Sequence, residues 1–125
     1  MKNMRWLVLI LGFTLSCNGQ QEKTVDAKQA IAMIEKEEVV VIDVRTPEEY
    51  AEGHLPGATN INYYDQDFAI QLGEMDENQK YLVYCHSGAR SAKAAHLMKE
   101  QGFSGVYNLE GGISGWKLAD GKVEE

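Results

Sequence analysis

Residues 81–101 read YLVYCHSGARSAKAAHLMKEQ, and this stretch decides the fold. Tyr81-Leu-Val-Tyr84 is an apolar run without alternation, the pattern of a strand buried on both faces. Ser91 to Gln101 has helical spacing: Ala94, Leu97 and Met98 share a face, and Gly102 supplies a C-terminal stop. Between strand and helix, the residues from Cys85 to Arg90 must turn the chain sharply.

The same alternation continues outward. Asp26 caps a helix running to about Lys36, with Ala30, Ile31, Met33 and Ile34 on its apolar side. Val39-Val-Val-Ile-Asp-Val44 is a second β-branched run that suits a buried strand. Thr46 and Pro47 open a short helix, Asn60-Ile-Asn62 is a short strand, and Asp65 or Asp67 begins a helix through about Leu72. Gly105 to Leu109 is a third strand, and Ser114 to Leu118 is a last helical turn. Strands alternating with helices predict an α/β domain with a central, mainly parallel sheet and helices on both faces. Ligands of such sheets bind beyond the carboxyl ends of the strands, where Cys85 falls.

The N-terminus reads differently. Lys2 and Arg5 precede ten mostly apolar residues, Trp6 to Leu15, and Ser16-Cys17 follows. That is the pattern of an export signal, and the run is shorter than the roughly 20 residues a membrane-spanning helix needs. "FTLSC" resembles a bacterial lipoprotein box, although Thr14 stands where that motif usually has Leu. The resemblance implies that Cys17 carries lipid and that the protein is an exported, periplasmic or cell-envelope lipoprotein. An ordinary membrane anchor and a cleaved soluble signal are the rival readings. The expected organisation is a leader over 1–17, a polar tether over 18–24, the domain over 25–118 and a polar tail over 119–125.

Two cysteines in an exported chain suggest a disulfide first. With Cys17 lipidated or removed, Cys85 has no partner in its own chain, and a free thiol in an oxidising compartment is a liability unless it is used. Loss of residues 1–16 takes the net charge from −7 to −9, because Lys2 and Arg5 go and no acid does. Such an acidic surface argues against nucleic acid as a partner. Yet Asn78 to Lys99 holds no Asp or Glu, and it contains Lys80, His86, Arg90, Lys93, His96 and Lys99 around the cysteine.

The loop has the means to hold a thiolate. Gly88 permits a tight turn, with small Ser87 and Ala89 beside it. Successive N–H groups from His86 to Arg90 can form an anion nest, the following helix adds its positive end, and Arg90 adds a full charge. These predict a lowered pKa for Cys85. Cysteine phosphatases and the arsenate reductases that resemble them place five residues between cysteine and arginine. Here there are four, His86, Ser87, Gly88 and Ala89, which leaves a cradle small for a phosphate and suited to a persulfide.

Three ordered motifs then carry a family resemblance. "DVRTPEEYAEGHLPGATNI" (residues 43–61), "CHSGARS" (85–91) and "NLEGGISGWK" (108–117) resemble the signatures of a single-domain rhodanese, a sulfurtransferase. The resemblance runs from about Thr24 to Lys117. It implies that Cys85 takes sulfane sulfur from a small anionic donor such as thiosulfate and passes it to cyanide, a thiol or a protein acceptor. Such a cycle needs no metal ion and no cofactor. Membrane contact is expected through the N-terminal lipid only.

Supporting roles follow by position. Arg90 is expected to orient the loop and attract anionic donors. His86 either touches substrate or faces solvent, and His96 is a solvated helix residue. Asp43 and Arg45 follow a buried strand, and Arg45 is placed to pair with Glu49, one helical turn on. His54 is expected to bond nearby backbone. Gly111 and Gly112 form a tight turn beside the cysteine loop, and Trp116 either walls the pocket or packs in the core. The rival functions are a persulfide carrier or interaction module serving a partner, a cysteine-dependent phosphatase or arsenate reductase, and thiol redox exchange.

Overall fold

The structure, a computed structural model, describes residues 23–125. The expected leader, with Cys17, and residues 18–22 of the tether lie outside the described residues. Among the described residues, five strands and five helices are laid down in near alternation. They are β1 (Lys23–Val25), α1 (Ala27–Glu35), β2 (Val40–Asp43), α2 (Pro47–Ala51), β3 (Thr59–Asn60), α3 (Phe68–Gly73), β4 (Lys80–Tyr84), α4 (Ala89–Glu100), β5 (Gly105–Leu109) and α5 (Gly112–Leu118). The strands form one sheet in the order β1-β5-β4-β2-β3, and every pairing is parallel. β4 therefore lies in the middle, hydrogen-bonded on both sides, and the chain leaves it directly into Cys85.

The alternation of side chains along each strand divides the core in two. Ile42, Val44, Tyr81, Val83, Cys85 and Val106 face α3 and α4, and pack with Phe68, Leu72, Ala94, Ala95 and Met98. Val41, Leu82, Tyr84 and Leu109 face the other way, onto Ala27 and Ala30 of α1 and Ile113 and Trp116 of α5. Leu82 and Val83, neighbours in sequence, are both fully buried on opposite faces, which is why the run shows no alternation. Each such burial contributes about 1.5–3 kcal/mol.

Local signals set the helix starts. Asp26 and Gln29 form a reciprocal capping box on α1, and Thr46 and Glu49 form one on α2, where Pro47 fills the first helical position. α4 and α5 begin otherwise. Gly88 and Gly111 occupy their cap positions in the left-handed region, at φ 112° and 77°, with no side-chain cap. Both helices start two residues earlier than the Ser91 and Ser114 expected from sequence.

Two boundaries also move. Lys23 and Thr24, assigned to the tether, are strand residues paired with Tyr107 and Asn108. Residues 119–125 are no free tail. The Trp116 indole donates to the Lys122 carbonyl at 2.8 Å, and the His54 and Glu124 backbones exchange two hydrogen bonds of 2.8 Å. No helix among the described residues is long and apolar enough to cross a membrane.

Candidate active site

Cys85 is 1% exposed and lies directly after the carboxyl end of β4. Its sulfur receives the Gly88 N–H at 3.1 Å and the Ser91 N–H at 3.4 Å, with Ser91 Oγ also at 3.4 Å. Burial pushes the thiol pKa up. Hydrogen bonds from the Ser91 hydroxyl and from the Ser91, Gly88 and Ser87 amides outweigh it and hold the thiol below its ordinary value. The cradle is thus built from the first turn of α4 as much as from the loop, because the helix opens at Ala89 and turns its free N–H groups onto the sulfur.

A second helix packs against the cysteine loop. Gly111 and Gly112 sit at φ 77° and 58°, and they bring the start of α5 against the loop backbone. Ile113 N–H donates to the Cys85 carbonyl at 3.0 Å and Ser114 N–H to the His86 carbonyl at 3.2 Å. A Cβ on Gly112 would collide with the His86 and Cys85 carbonyls, so only glycine allows this approach. His86 and Ser87 are exposed at the rim, and His86 Nε2 lies 3.3 Å from Ser114 Oγ.

Arg90 turns its guanidinium toward α2. It binds both carboxylate oxygens of Glu49, at 2.9 and 3.0 Å, and lies 5.7 Å from the ring centre of exposed Tyr64. Hydrogen bonds from Arg90 pull the Glu49 pKa down to about 2. The expected Arg45–Glu49 pair is therefore not formed. Arg45 instead turns back on Asp43, with Nη2 at 2.7 Å from Oδ2 and Nε at 2.9 Å from Oδ1, and donates to the Gly53 carbonyl at 2.7 Å. Tyr84 Oη donates to Asp43 Oδ2 at 2.6 Å and accepts the Leu55 N–H at 3.0 Å. Asp43 and Tyr84 are register partners on β2 and β4, so this buried cluster stands directly behind the cysteine strand, on the sheet face opposite to the thiol. His54 bonds the Tyr50 carbonyl through Nδ1 at 3.0 Å and stacks on the Tyr50 ring.

The structure brings together Cys85, the loop from His86 to Arg90, Glu49, Gly111 and Gly112. It sets Asp43, Arg45 and His54 behind them as a brace. Trp116 is buried in the core. His96, on the solvent side of α4, pairs with Glu100 at 3.2 Å. Two polar residues were missed in sequence. Ser91, read as a helix start, is fully buried with its hydroxyl against the sulfur, and Asn108 of β5 is buried with Oδ1 at 2.6 Å from Ser91 Oγ. A signal for Asn108 existed: it shares a strand face with buried Val106, where an apolar residue is the norm.

Fold and site together define a parallel α/β domain with a buried cysteine in an amide-lined loop. Residues 26–119 match the Rhodanese-like domain family, and the chain belongs to it. A thiosulfate sulfurtransferase GlpE of Pseudoalteromonas translucida is 33% identical over 97 residues, covering 78% of this chain and 90% of its own length. A putative sulfur carrier protein YrkF of Bacillus subtilis is 39% identical over 88 residues, 70% of this chain and 45% of that protein. Among solved structures, a rhodanese-related protein from Thermoplasma volcanium superposes with a TM-score of 0.74 at 26% identity, over 82% of this chain and 97% of that one.

Proposed function

We propose that the domain transfers sulfane sulfur through a persulfide on Cys85. The Cys85 thiolate attacks the outer sulfur of a donor such as thiosulfate. A new S–S bond forms, the donor's S–S bond breaks, and sulfite leaves with the electron pair. A thiol, cyanide or a protein acceptor then takes the terminal sulfur and returns Cys85 to the thiolate, so one transfer is split into two. The observation that carries this reading is the sulfur of Cys85, buried and facing the N–H groups of Gly88 and Ser91 at the start of a helix. These donors favour negative charge on the first sulfur and on a second one arriving above it. The four-residue spacing to Arg90 supports persulfide over phosphoryl chemistry.

Mass spectrometry tests it. Thiosulfate should add one sulfur atom to the purified domain, cyanide should remove it, and Cys85→Ser should never gain it. A wild-type domain that stays unmodified under thiosulfate and other sulfane donors would sink the proposal.

The proposal extends to location. Lys2, Arg5, the apolar run and Ser16-Cys17 support an exported protein held at the cell envelope by lipid on Cys17. Labelled fatty acid should enter the full-length wild type expressed in a bacterium and be absent from Cys17→Ala; label in both, or in neither, would refute it.

A further inference from the structure

We infer that Asn108 is a positioning residue for Cys85, which holds the single proton of the Ser91 hydroxyl in balance between a side-chain carbonyl and the sulfur. The inference rests on the reading of Cys85 as the reactive thiolate. Ser91 Oγ has three acceptors in reach and one proton to give. Asn108 Oδ1 lies at 2.6 Å, the Gly88 carbonyl at 3.2 Å and Cys85 Sγ at 3.4 Å. The shortest contact is at the tight end for O–H···O, so beside the resting thiol the Ser91 hydroxyl donates to Asn108 Oδ1 and an oxygen lone pair faces the sulfur. When Cys85 ionises, the proton must turn toward the sulfur, and Asn108 competes for it.

The placement makes this competition specific. Asn108 is the register partner of Val83, two residues before the cysteine, and lies on the sheet face that carries Cys85. A polar side chain buried in an inner strand is costly unless bonded, and Asn108 Oδ1 accepts from the same Ser91 hydroxyl that lies against the thiol. Its effect is to restrain the stabilisation that the loop supplies. A thiolate held too tightly attacks slowly, because nucleophilicity falls as the pKa falls, and the best attacking thiol titrates near ambient pH.

Other charged and titratable groups near the thiol are left in place by changes at Asn108. They are His86 beside it on the loop, Arg90 of α4 with Glu49 of α2 bonded to it, and Tyr64 over Arg90. Asp43, Arg45 and Tyr84 belong to the cluster on the opposite face. The first turn of α5, Gly112 to Ser114, brings no titratable side chain.

The test is the rate of iodoacetamide alkylation of Cys85 against pH. Asn108→Leu should lower the inflection by about one pH unit, the worth of one hydrogen bond. The limiting rate on the alkaline side should fall about threefold, as the Brønsted slope requires. Ser91→Ala should shift both readouts the opposite way, and adding Asn108→Leu to Ser91→Ala should change nothing further. Asn108→Val, a strand former that also lacks an acceptor, gives the same expectation if the leucine variant does not fold. A wild-type inflection at the ordinary thiol value, about 8.5, defeats the reading of Cys85 itself. A lowered wild-type inflection that Asn108→Leu leaves unmoved or raises, or a shift that persists without the Ser91 hydroxyl, overturns the Asn108 inference alone.

Discussion

Arg90 and Glu49 stand 41 positions apart in the chain and hold each other through two hydrogen bonds, one to each carboxylate oxygen. The pair joins α4, which packs on one face of the sheet, to α2, whose Tyr50 packs on the other. It ties the first turn after the cysteine loop to the first signature of the chain.

Glu49→Gln should loosen this tie. The pair is partly exposed, with side chains 19% and 32% accessible, so its contribution is screened to about 1 kcal/mol. The Glu49 carboxyl is held down to about 2 against an ordinary 4.5. A depressed carboxyl stabilises the fold above the ordinary value and loses that contribution as pH falls through the depressed one. Wild type should therefore exceed Glu49→Gln in urea midpoint at pH 7, and the gap should close between pH 4.5 and about 2. A gap of equal size across that range would show that the ion pair is not its source.

Cys85→Ser should retain the circular dichroism and melting profile of the wild type while losing sulfur transfer. Serine fits the same space and accepts the same amide bonds, but it cannot store sulfur as a persulfide. Residual turnover at the wild-type rate would assign the chemistry elsewhere.

Gly112→Ala should be far more damaging than Gly57→Ala. Both glycines have positive φ, 58° and 73°, which costs an alanine about 1–2 kcal/mol. At Gly57 an added Cβ meets nothing within 4 Å. At Gly112 it meets the Cys85 and His86 carbonyls, and overpacking adds about 1–3 kcal/mol. Chemical denaturation gives the difference, and sulfur transfer should fall only in Gly112→Ala. Equal losses in the two variants would mean that α5 does not brace the loop.

Asp43→Ala should destabilise by about 3–5 kcal/mol, because it strands buried Arg45 without its counter-charge. Tyr84→Phe should cost less, about 1–3 kcal/mol, by leaving the Leu55 N–H and one Asp43 oxygen short of a partner. In Tyr84→Phe the alkylation profile of Cys85 should keep its wild-type inflection, since the cluster lies on the other face of the sheet. A moved inflection would place this cluster within the electrostatics of the site.

The strand and helix around Cys85 were legible because burial on both faces and helical spacing leave strong local patterns. The helix starts were not, because left-handed Gly88 and Gly111 begin a helix without the side-chain cap that a sequence reading seeks. β1 escaped for a different reason. It is a three-residue edge strand with only Val25 buried, and its partner lies at the far end of the chain. Arg45 was assigned to Glu49 by spacing along a helix, but it precedes the helix and folds back on Asp43. The partner that Glu49 does take, Arg90, is set by tertiary approach and leaves no mark on local sequence.

The uniform direction of the five strands gives the domain a front and a back. The chain enters at Lys23, at the leading end of an outer strand, and Cys85 opens beyond the trailing end of the central one. A molecule that reacts with Cys85 therefore comes to the front of the sheet, the end opposite to the one at which Lys23 begins β1.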